Sequence, residues 1–535
     1  MDNYYLWAYK NNFIRMNKTA VYAGDKEYSF KDIFDMADSI SDRLKGLGIK
    51  SGQFILACMM PSPEGIALML ACAKLDVCCM TLLPGVNDEK LLSFINAENV
   101  KFAFVEEVFL GALFGLPKSV SALQKIFAMP HDVYISPRDR VDIDYSGKFS
   151  FVKKWEEFMS GKAIHCEPIA EPKNPVYIAA TPDHDNPKGI TYSHDAMIAA
   201  AKMFGISQQN MKPDMIIHSR IPMFTAAGNS METMSPFAAG LAIATGQVPM
   251  ADGQCIPEEF KKYSPNCFMI AKTSILQAMD NPVMAELDFS NLVSFYNIGE
   301  PLFEEDKRKI GEFFVSRGAK TTIRNAYGLS ESNCILTAES PSFEPSTSVG
   351  SPIPTVTLKI ADPDTHEIVN GAKPGEIIYS APCMTDGYFK NEEATAKRFF
   401  KGDDGKTYDR TGDLGCIDND GNLHVLGRID ERYKNDEGQT KYFFEIIKLV
   451  RSTPCLEGAH LVSVGGDVYI HYTGEEIDRT SVLGLKEKLV SEKAYKKGHF
   501  YLKRWEEFPT SGGRVRSYLL ATHRENAVLM ENYDR

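Results

Sequence analysis

Helical and strand patterns alternate along the first half of the chain, and this alternation limits its fold more than any other feature. Apolar residues recur at helical spacing after Ser29, a predicted N-cap, and Gly48 is the predicted end of that helix. The next segments are a strand at 54–59, a helix at 63–75, a strand at 77–83, a helix at 91–97 and a strand at 102–105. Strands that alternate with helices predict a doubly wound parallel sheet.

The alternation resumes at Tyr177 and predicts a second α/β subdomain. Its segments are strands at 177–181 and 215–219, helices at 194–204 and near 232–240, and strands at 292–298 and 319–327. After residue 340, short strands between Gly, Pro and Asp-Gly turns predict a small antiparallel β-barrel or sheet. We therefore predict an α/β protein. Its large N-terminal domain at 1–430 holds two doubly wound α/β subdomains and the small β-barrel, and a small α+β C-terminal domain follows at 431–535.

The charge of the chain disfavours nucleic acid as the main partner. The 535 residues carry a net charge of −12, and phosphate backbones require a basic surface. The charge is uneven, because residues 431–535 have a net charge of +1 and the remaining residues carry −13. An acidic body with a nearly neutral C-terminal region is the expected electrostatic pattern.

Hydropathy and cysteine spacing predict a cytoplasmic protein. The most apolar run, Ile66–Ala73, is too short to span a membrane, and the first 13 residues lack the core of a signal peptide. The 11 cysteines have no CxxC spacing, which favours reduced, buried thiols.

Seven short motifs follow one another in order along the chain. They are NPKG (186–189), NIGEPL (297–302), YGLSES (327–332), GEIIYSAPCMTDGYFKNEEAT (375–395), DRTGDLG (409–415), LGRID (426–430) and FPTSGGRV (508–515). Together they resemble the adenylate-forming superfamily of acyl- and aryl-CoA synthetases, luciferases and peptide-synthetase adenylation domains. The resemblance implies that a carboxylate attacks the α-phosphate of ATP and that a thiol of CoA or of a carrier-protein pantetheine then attacks the acyl-adenylate.

The resemblance assigns residues to the adenosine part of the nucleotide. Tyr327 would pack against adenine, and the backbone of Gly299 and Glu300 would line the other side of the base. Asp413 would accept hydrogen bonds from the ribose hydroxyls, and Arg428 would approach the ribose and the phosphates.

A second group of residues is assigned to the phosphates. In the turn that contains Gly328, Ser330 would contact a phosphate and Glu331 would bind Mg²⁺. Thr181 and Lys188 stand at the two ends of the segment that matches the phosphate loop, where a hydroxyl and a cation are expected. Cations and N–H donors are needed there because two anions must meet in the first step.

The C-terminal residues imply a moving domain and a channel for the thiol. Asp430 matches the family hinge, about which the mobile C-terminal domain rotates, and a polar run to Thr440 follows it. Gly438, seven residues before Glu445, matches the loop that lines the pantetheine channel, and this loop is one residue longer than usual.

The phosphate loop departs from the family pattern. Pro182 removes an N–H donor, and Asp183 and Asp185 would place two negative charges near the β- and γ-phosphates of ATP. At ~4 Å and an effective dielectric constant of ~20, each contact between like charges costs about 4 kcal/mol. Three interpretations stay open: the aspartates turn outward, they hold an additional Mg²⁺, or triphosphate binding is lost. A solvated turn is favoured over a metal site at His184.

Two further departures concern catalysis and substrate. Arg514 stands where the family has the lysine that bridges the substrate carboxylate and the α-phosphate. In the segment PMFTAAG (222–228), Thr225 stands where amino-acid-activating relatives have an aspartate. Phe224, Thr225 and Gly228 therefore predict a pocket for an acyl or aryl acid without an α-amine, and the alternative is that they are core residues.

The sequence leaves two kinds of function open, an enzyme and a binding protein. The first is an AMP-forming acid–thiol ligase that uses ATP and Mg²⁺ and passes the acyl group to CoA or an acyl carrier protein. The second is a catalytically impaired homologue that binds nucleotide or acyl ligand as a partner or scaffold. Between them lies a protein that uses a preformed acyl-adenylate or thioester.

Overall fold

The fold divides into two compact units. The computed structural model describes residues 2–84, 92, 95–113, 119–130, 150–180, 188–207, 211–246, 255–299, 302, 304–340, 348–456, 458–508, 510–511, 514–515, 517–522 and 524–534. The first unit comprises Met1–Leu358, Tyr379–Asp409 and Gly421–Leu423, and the second comprises Lys359–Ile378, Arg410–Asp420 and His424–Arg535. The domain boundary predicted after Asp430 stays a prediction.

The first unit contains a sheet to which eight strands of the described residues belong. In spatial order they are Gly387–Tyr388, Gly189–Tyr192, Tyr177–Ala180, Cys78–Thr81, Phe54–Cys58, Phe102–Glu106, Lys125–Met129 and Val152–Lys154. The last six of these strands are mutually parallel, and the first two are antiparallel additions at one edge. Helix Pro63–Leu75 connects two neighbouring parallel strands, as the alternation predicts.

The second sheet of this unit has nine strands in the part of the chain that the structure describes. In spatial order they are Ser351–Pro352, Ile335–Ala338, Arg324–Gly328, Ser294–Asn297, Cys267–Ile270, Ile216–Ser219, Ala242–Thr245, Thr19–Ala23 and Lys26–Ser29. The six central strands are parallel, and antiparallel strands flank them on both sides. The two large sheets confirm the predicted pair of doubly wound α/β subdomains.

The predicted small barrel corresponds to a third sheet. Its described strands are Thr357–Ala361, Gly375–Ser380, Thr407–Ile417 and Phe399–Lys401 in spatial order, with Leu423–Arg428 paired to Thr407–Ile417. The C-terminal residues form a further sheet from His460–Val464, Asp467–Thr473, Phe500–Trp505 and Val528–Leu529. Two strand pairs complete the set: Arg432–Lys434 with Thr440–Tyr442, and Thr510–Ser511 with Arg514–Val515.

Helices cover the parallel sheets. The α-helices in the described ranges are Tyr4–Asn12, Phe30–Gly46, Pro63–Leu75, Leu110–Leu113, Trp155–Met159, His194–Ser207, Ser235–Ala238, Ile256–Tyr263, Lys272–Met279, Pro282–Glu286, Glu304–Val315, Glu392–Arg398, Phe443–Arg451, Arg479–Ser491 and Ser517–Thr522. A π-helix spans Ala227–Met234, and 3₁₀ turns lie at Phe13–Arg15, Glu107–Phe109, Ser330–Ser332 and Met530–Asp534. None of the helices within the described residues is long and apolar enough to cross a membrane.

The helix predicted near 232–240 differs from the structure. A π-helix at Ala227–Met234 precedes a short α-helix that starts at Ser235, and the Ser235 N–H bonds to the carbonyl of Ser230. Pro236 has no N–H to donate within the helix, so an unbroken α-helical hydrogen-bond ladder is impossible there.

Ser29 starts the helix Phe30–Gly46 as predicted. Its hydroxyl accepts a hydrogen bond from the Asp32 N–H at 3.1 Å, and the Asp32 carboxylate accepts one from the Ser29 N–H at 2.8 Å. This capping box satisfies two N–H groups that the first helical turn leaves without helical partners. The buried face behind the cap consists of Phe30, Ile33, Phe34, Ala37, Ile40, Ser41 and Leu44.

Removal of the Ser29 hydroxyl will destabilise the first unit. We expect Ser29→Ala to lower the free energy of unfolding by about 1 kcal/mol, because one N–H of the first turn loses its acceptor. The measurement is urea denaturation of the full chain. Ser39→Ala, in the middle of the same helix, is the matched control and should leave stability unchanged or slightly higher, because alanine favours helix. Equal losses for both variants would contradict the role of the cap.

Candidate active site

The turn after strand Arg324–Gly328 holds the residues of the YGLSES motif. Tyr327 is buried, and Glu331 lies in the 3₁₀ turn Ser330–Ser332. A Cβ on Gly328 would come within 2.6 Å of the Cys334 carbonyl, so the close approach of the two chain segments requires glycine. The Tyr192 hydroxyl donates to the Ser330 carbonyl at 2.6 Å and fixes the turn against the other large sheet.

The Glu331 carboxylate is held by two donors. Its Oε1 accepts a hydrogen bond from the Tyr388 hydroxyl at 2.7 Å and lies 2.8 Å from Nη1 of Arg398. Arg398 also makes a bidentate contact with Asp409, through Nε to Oδ1 at 2.6 Å and Nη2 to Oδ2 at 3.2 Å. The Tyr379 hydroxyl donates to Asp409 Oδ2 at 2.9 Å. We call Glu331, Tyr388, Arg398, Asp409 and Tyr379 the Arg398 cluster.

Burial and charge oppose each other in the Arg398 cluster. Asp409 is completely buried, and burial raises its pKa to about 6, although Arg398 opposes the shift. Burial alone would lower the pKa of Arg398, but Asp409 and Glu331 raise it above its ordinary value. Arg398 is therefore a permanent cation between two carboxylates.

Lys188 supplies a second cation beside the cluster. It is half-buried, immediately precedes strand Gly189–Tyr192, and places its Nζ 4.7 Å from the centroid of the Tyr388 ring. Tyr388 in turn donates its hydroxyl to Glu331. Lys188 thus lies in the neighbourhood of the predicted metal ligand. The other loop residues named from the sequence, Thr181, Pro182, Asp183, His184 and Asp185, lie outside the described residues.

The Glu331 side chain does not fit a bound Mg²⁺ in this arrangement. Mg²⁺ is usually held by one or two carboxylates together with phosphates and water, so a lone glutamate is not in itself an obstacle. The obstacle is Arg398, whose guanidinium already neutralises the oxygen that also binds Tyr388. Among the described residues, no group of three or more His, Cys, Asp or Glu side chains is placed to hold a metal ion. Mg²⁺ at Glu331 stays a prediction.

In the second unit, Asp413 and Arg428 form an ion pair. Arg428 Nη1 lies 2.7 Å from Asp413 Oδ1, and the buried carboxylate sits on strand Thr407–Ile417. The Thr411 hydroxyl accepts from the Asp413 N–H at 3.0 Å and donates to the Ile377 carbonyl at 2.7 Å, which fixes the strand. Two residues predicted for the ribose from separate motifs are therefore adjacent.

The predicted hinge and thiol-channel residues lie in exposed turns. Asp430 is exposed, and its carbonyl accepts from the Arg432 N–H at 2.8 Å. Gly438 has φ +76° in the turn of the hairpin that pairs Arg432–Lys434 with Thr440–Tyr442. The polar run after Asp430 is thus a short hairpin of the second unit.

The predicted substrate segment, residues 222–228, is tightly packed. Phe224 is 7% exposed and packs edge-on against Phe109 at 5.6 Å between ring centroids. The Thr225 hydroxyl donates to the Pro222 carbonyl at 2.9 Å and accepts from the Gly228 N–H at 3.1 Å. A Cβ on Gly228 would lie 2.1 Å from the same carbonyl, so this turn also needs glycine. Phe224 lies in the core, and Thr225 and Gly228 shape the start of the π-helix.

Glu232 on the π-helix anchors the backbone that leads into this segment. Its Oε2 accepts hydrogen bonds from the N–H groups of Arg220 at 2.8 Å and Ile221 at 2.6 Å. Its Oε1 is buried without a hydrogen-bond partner among the described residues. Burial raises the pKa of Glu232 to about 7, although the two N–H groups oppose the shift.

Of the remaining residues that the sequence assigns to the site, the structure describes only a part. Gly299 is exposed with φ +82° and follows strand Ser294–Asn297, which is parallel to strand Arg324–Gly328. Glu300 lies outside the described residues, and so does the side chain of Arg514, whose backbone lies in strand Arg514–Val515. The NIGEPL and YGLSES motifs thus follow the carboxyl ends of neighbouring parallel strands, where ligands bind in open α/β sheets.

Comparison with known proteins places the chain in a family. The model of the AMP-binding enzyme family matches residues 12–389, which is more than half of the chain. The chain belongs to the AMP-binding enzyme family. The predicted membership of the adenylate-forming superfamily is confirmed.

The matched relatives and a solved structure agree with this family. The chain is 29% identical to 4-coumarate–CoA ligase-like 1 of Arabidopsis thaliana, in an alignment that spans 46% of the chain and 45% of that relative. It is 24% identical to indoleacetate–CoA ligase of Aromatoleum aromaticum over 95% of the chain and 96% of the relative. The structure of the anthranilate CoA ligase AuaEII with anthranoyl-AMP superposes with a TM-score of 0.79 at 18% identity, covering 97% of this chain and 96% of that one. This likeness shows that the fold extends over nearly the whole chain.

Three residues near the predicted site, Arg398, Asp409 and Glu232, could not be identified from the sequence of this AMP-binding enzyme. Arg398 and Asp409 lie 11 positions apart on a helix end and a strand, and no sequence spacing relates them, although Asp409 begins the DRTGDLG motif. Glu232 reads as the polar position of a predicted helix. The signal that could have found Asp409 is a carboxylate inside a strand pattern, four residues before Asp413.

The raised pKa of Glu232 predicts a pH-dependent stability of this AMP-binding enzyme. The folded-state pKa of about 7 lies above the ordinary value of 4.5, so the unfolded chain loses its proton first as the pH rises. The contribution of Glu232 to stability is therefore full below pH 4.5 and is lost as the pH rises through 7, by up to roughly 3 kcal/mol. Glu232→Gln should remove this slope in urea denaturation between pH 5 and 8. Glu258→Gln, at an exposed position, is the matched control, and an unchanged slope in Glu232→Gln would contradict the assignment.

Proposed function

We propose that this AMP-binding enzyme is an acid–thiol ligase. It activates a carboxylic acid with ATP to an acyl-adenylate and passes the acyl group to the thiol of CoA or of a carrier-protein pantetheine. The observation that carries the proposal is the fixed turn from Tyr327 to Glu331, with Arg398 beside its carboxylate and Lys188 over the ring of Tyr388, in a chain that matches the family over residues 12–389. The similarity to a CoA ligase over 95% of the chain supports the same activity.

The first step needs positive charge near the phosphates. A carboxylate oxygen forms a bond with the α-phosphorus of ATP, the bond from that phosphorus to the β-phosphate oxygen breaks, and pyrophosphate leaves. In our proposal Lys188 neutralises the developing charge, Ser330 and the backbone of Gly328 contact phosphate, and Tyr327 packs on adenine opposite the Gly299-Glu300 backbone. Thr181 supplies a further hydroxyl. A fixed cation stabilises this transition state without reorganisation during the reaction.

We assign the remaining contacts to residues 410–535. Asp413 accepts the ribose hydroxyls, and Arg428, its partner at 2.7 Å, orients the carboxylate and reaches toward the ribose and phosphates. Arg514 bridges the substrate carboxylate and the α-phosphate. Asp430 is the hinge of a C-terminal lid domain at 431–535, and Gly438 lines the channel through which the thiol reaches the acyl carbon and displaces AMP.

The proposed substrate is an acyl or aryl acid without an α-amine. Thr225 offers no negative charge to an ammonium group, and its hydroxyl is engaged by Pro222 and Gly228. Relatives named for indoleacetate and anthranilate, both aryl acids, support this class. A buried, reduced set of thiols also supports a cytoplasmic location, since all 11 cysteines are free and eight are buried.

A second candidate function is favoured by the charges at the phosphate side. Arg398 occupies the carboxylate of Glu331, and the sequence places Asp183 and Asp185 in the phosphate loop. A homologue of this kind binds AMP, or a preformed acyl-adenylate or thioester, without efficient adenylation by ATP. It serves as a binding partner or carries out only the second half-reaction.

ATP–pyrophosphate exchange across a panel of fatty, aryl and amino acids separates the two candidates. The ligase predicts exchange above background with at least one apolar acyl or aryl acid and none with α-amino acids. Lys188→Ala should reduce that exchange by roughly 10- to 100-fold, because a charge-assisted contact with phosphate contributes about 1.5–3 kcal/mol. Lys202→Ala is the control, since Lys202 lies over the Trp7 ring at 6.0 Å in the same fashion but is not assigned to the site. Absence of exchange with every acid, together with thermal stabilisation by AMP, would support the second candidate instead.

Arg514→Lys tests the altered residue of the C-terminal domain. We expect the exchange rate to rise by roughly 10-fold, because the larger planar guanidinium does not reproduce the position of the ammonium for which the site of the family is shaped. The rate of thioester formation from a supplied acyl-adenylate should stay constant, and Arg524→Lys in the same region should change neither rate. A fall in exchange would show that Arg514 is already the better residue, and a rate that stays at zero while AMP binds would assign the defect to the phosphate loop.

A further inference from the structure

Within the Arg398 cluster, the carboxylate of Glu331 is engaged by two donors of the protein. Glu331 Oε1 receives both the Tyr388 hydroxyl and Nη1 of Arg398, at 2.7 and 2.8 Å. These two donors occupy the positions at which this oxygen would otherwise bind a hard cation. The residue predicted as the metal ligand is therefore engaged by a cation that belongs to the protein.

Arg398 is held in this place by contacts independent of Glu331. Its Nε and Nη2 bind the two oxygens of Asp409, which is completely buried and also accepts from Tyr379. The strand that follows Arg398 pairs with the strand of Asp409, and Phe399 is the cross-strand partner of Asp409. The guanidinium cannot swing away from Glu331 without leaving a buried carboxylate unpaired, which proteins avoid.

Among the described residues of this cluster and Lys188, negative and positive charges are equal in number. Glu331 and Asp409 contribute two negative charges, and Arg398 and Lys188 contribute two positive charges. A metal ion at the usual distance of about 2.1 Å from Glu331 Oε1 would stand within about 5 Å of Nη1, because Nη1 lies 2.8 Å from the same oxygen. Two additional positive charges at that distance from a fixed guanidinium are repelled.

We propose that Arg398 is the built-in counter-cation of Glu331, and that nucleotide binds at this turn without a divalent metal ion on Glu331. Arg398 acts through Glu331 and is a positioning residue. The proposal rests on the proposed function for the identity of the ligand, an adenine nucleotide, but its geometry does not depend on catalysis. It favours a ligand with one phosphate, such as AMP or an acyl-adenylate, over ATP, whose additional charges need more cations than Arg398 and Lys188 provide.

Binding of Mn²⁺, used as a probe for the divalent site, tests the proposal without any activity measurement. Free Mn²⁺ is followed by electron paramagnetic resonance during titration of the full chain, with and without saturating AMP, and AMP binding is established separately by a thermal shift. We expect Glu331→Gln to leave the Mn²⁺ titration of the otherwise unchanged chain as it is. A loss of at least 10-fold in the affinity of one Mn²⁺ site in Glu331→Gln would overturn the proposal, since it would place the metal on Glu331 beside Arg398.

Removal of the internal cation provides the reciprocal test. Arg398→Leu combined with Asp409→Leu replaces the buried ion pair by apolar groups and should create one Mn²⁺ site per chain, which Glu331→Gln in that background should abolish. Lys397→Leu is the matched control, because it removes an exposed positive charge from the same helix and should gain no site. A folded double variant that gains no Mn²⁺ overturns the proposal. If the double variant fails to fold, the comparison of the unaltered chain with Glu331→Gln decides the question alone.

These measurements distinguish a failure of the proposed function from a failure of the proposed role of Arg398. If AMP gives no thermal shift, the proposed function is wrong, and the Mn²⁺ titrations without nucleotide still test Arg398. If AMP binds, its affinity in EDTA and in excess Mg²⁺ should agree within about twofold. A gain of about 10-fold on addition of Mg²⁺ would overturn the metal-independent binding while leaving the family function intact.

Discussion

The contact on which the candidate site depends is that of the Arg398 guanidinium with two carboxylates. It joins three segments that are distant in sequence: the turn that carries Glu331, the end of helix Glu392–Arg398, and strand Thr407–Ile417 with Asp409. A buried carboxylate without its partner destabilises a fold by roughly 3–5 kcal/mol, so each member keeps the others in place. The position of Ser330 and Glu331 is consequently a property of the whole cluster and not of the turn alone.

Parallel sheets explain why the motifs of this family are short and far apart. Strands Ser294–Asn297 and Arg324–Gly328 are parallel neighbours, so the loops that follow them leave the sheet at the same edge. Each loop needs only a few residues of defined geometry, because the sheet behind it supplies the position. Buried polar groups fix the backbone of individual loops. Glu232, for example, accepts hydrogen bonds from the N–H groups of Arg220 and Ile221, which precede the predicted substrate segment at 222–228.

Many of the helices and strands could be predicted from the sequence, because their formation depends on the spacing of apolar, capping and turn residues within each segment. Helix Pro63–Leu75 has the predicted bounds, and Ser29 is the N-cap of helix Phe30–Gly46, as the sequence predicts. The pairing of Arg398 with Asp409 could not be predicted, since it depends on a strand register between residues 399–401 and 407–409 that no single-chain pattern specifies. Phe224 shows a second limit, because the sequence alone does not tell whether an apolar residue in a motif is buried, whereas the structure shows that Phe224 is buried against Phe109.

A guanidinium of the protein and a bound metal ion differ in how much positive charge they place beside a ligand. A guanidinium contributes one positive charge that is always present and cannot be lost to a chelator, whereas a bound divalent ion contributes two and depends on its supply. In our proposal Arg398 and Lys188 together offset Glu331 and Asp409, so the phosphates of a nucleotide must find much of their counter-charge elsewhere. A single α-phosphate carries little charge to be compensated, but a triphosphate brings several, next to a loop whose sequence includes Asp183 and Asp185. The residues that the sequence predicts for adenosine, Tyr327, Asp413 and Arg428, are not members of the Arg398 cluster, so the proposed role of Arg398 does not alter the prediction that they recognise AMP or an acyl-adenylate.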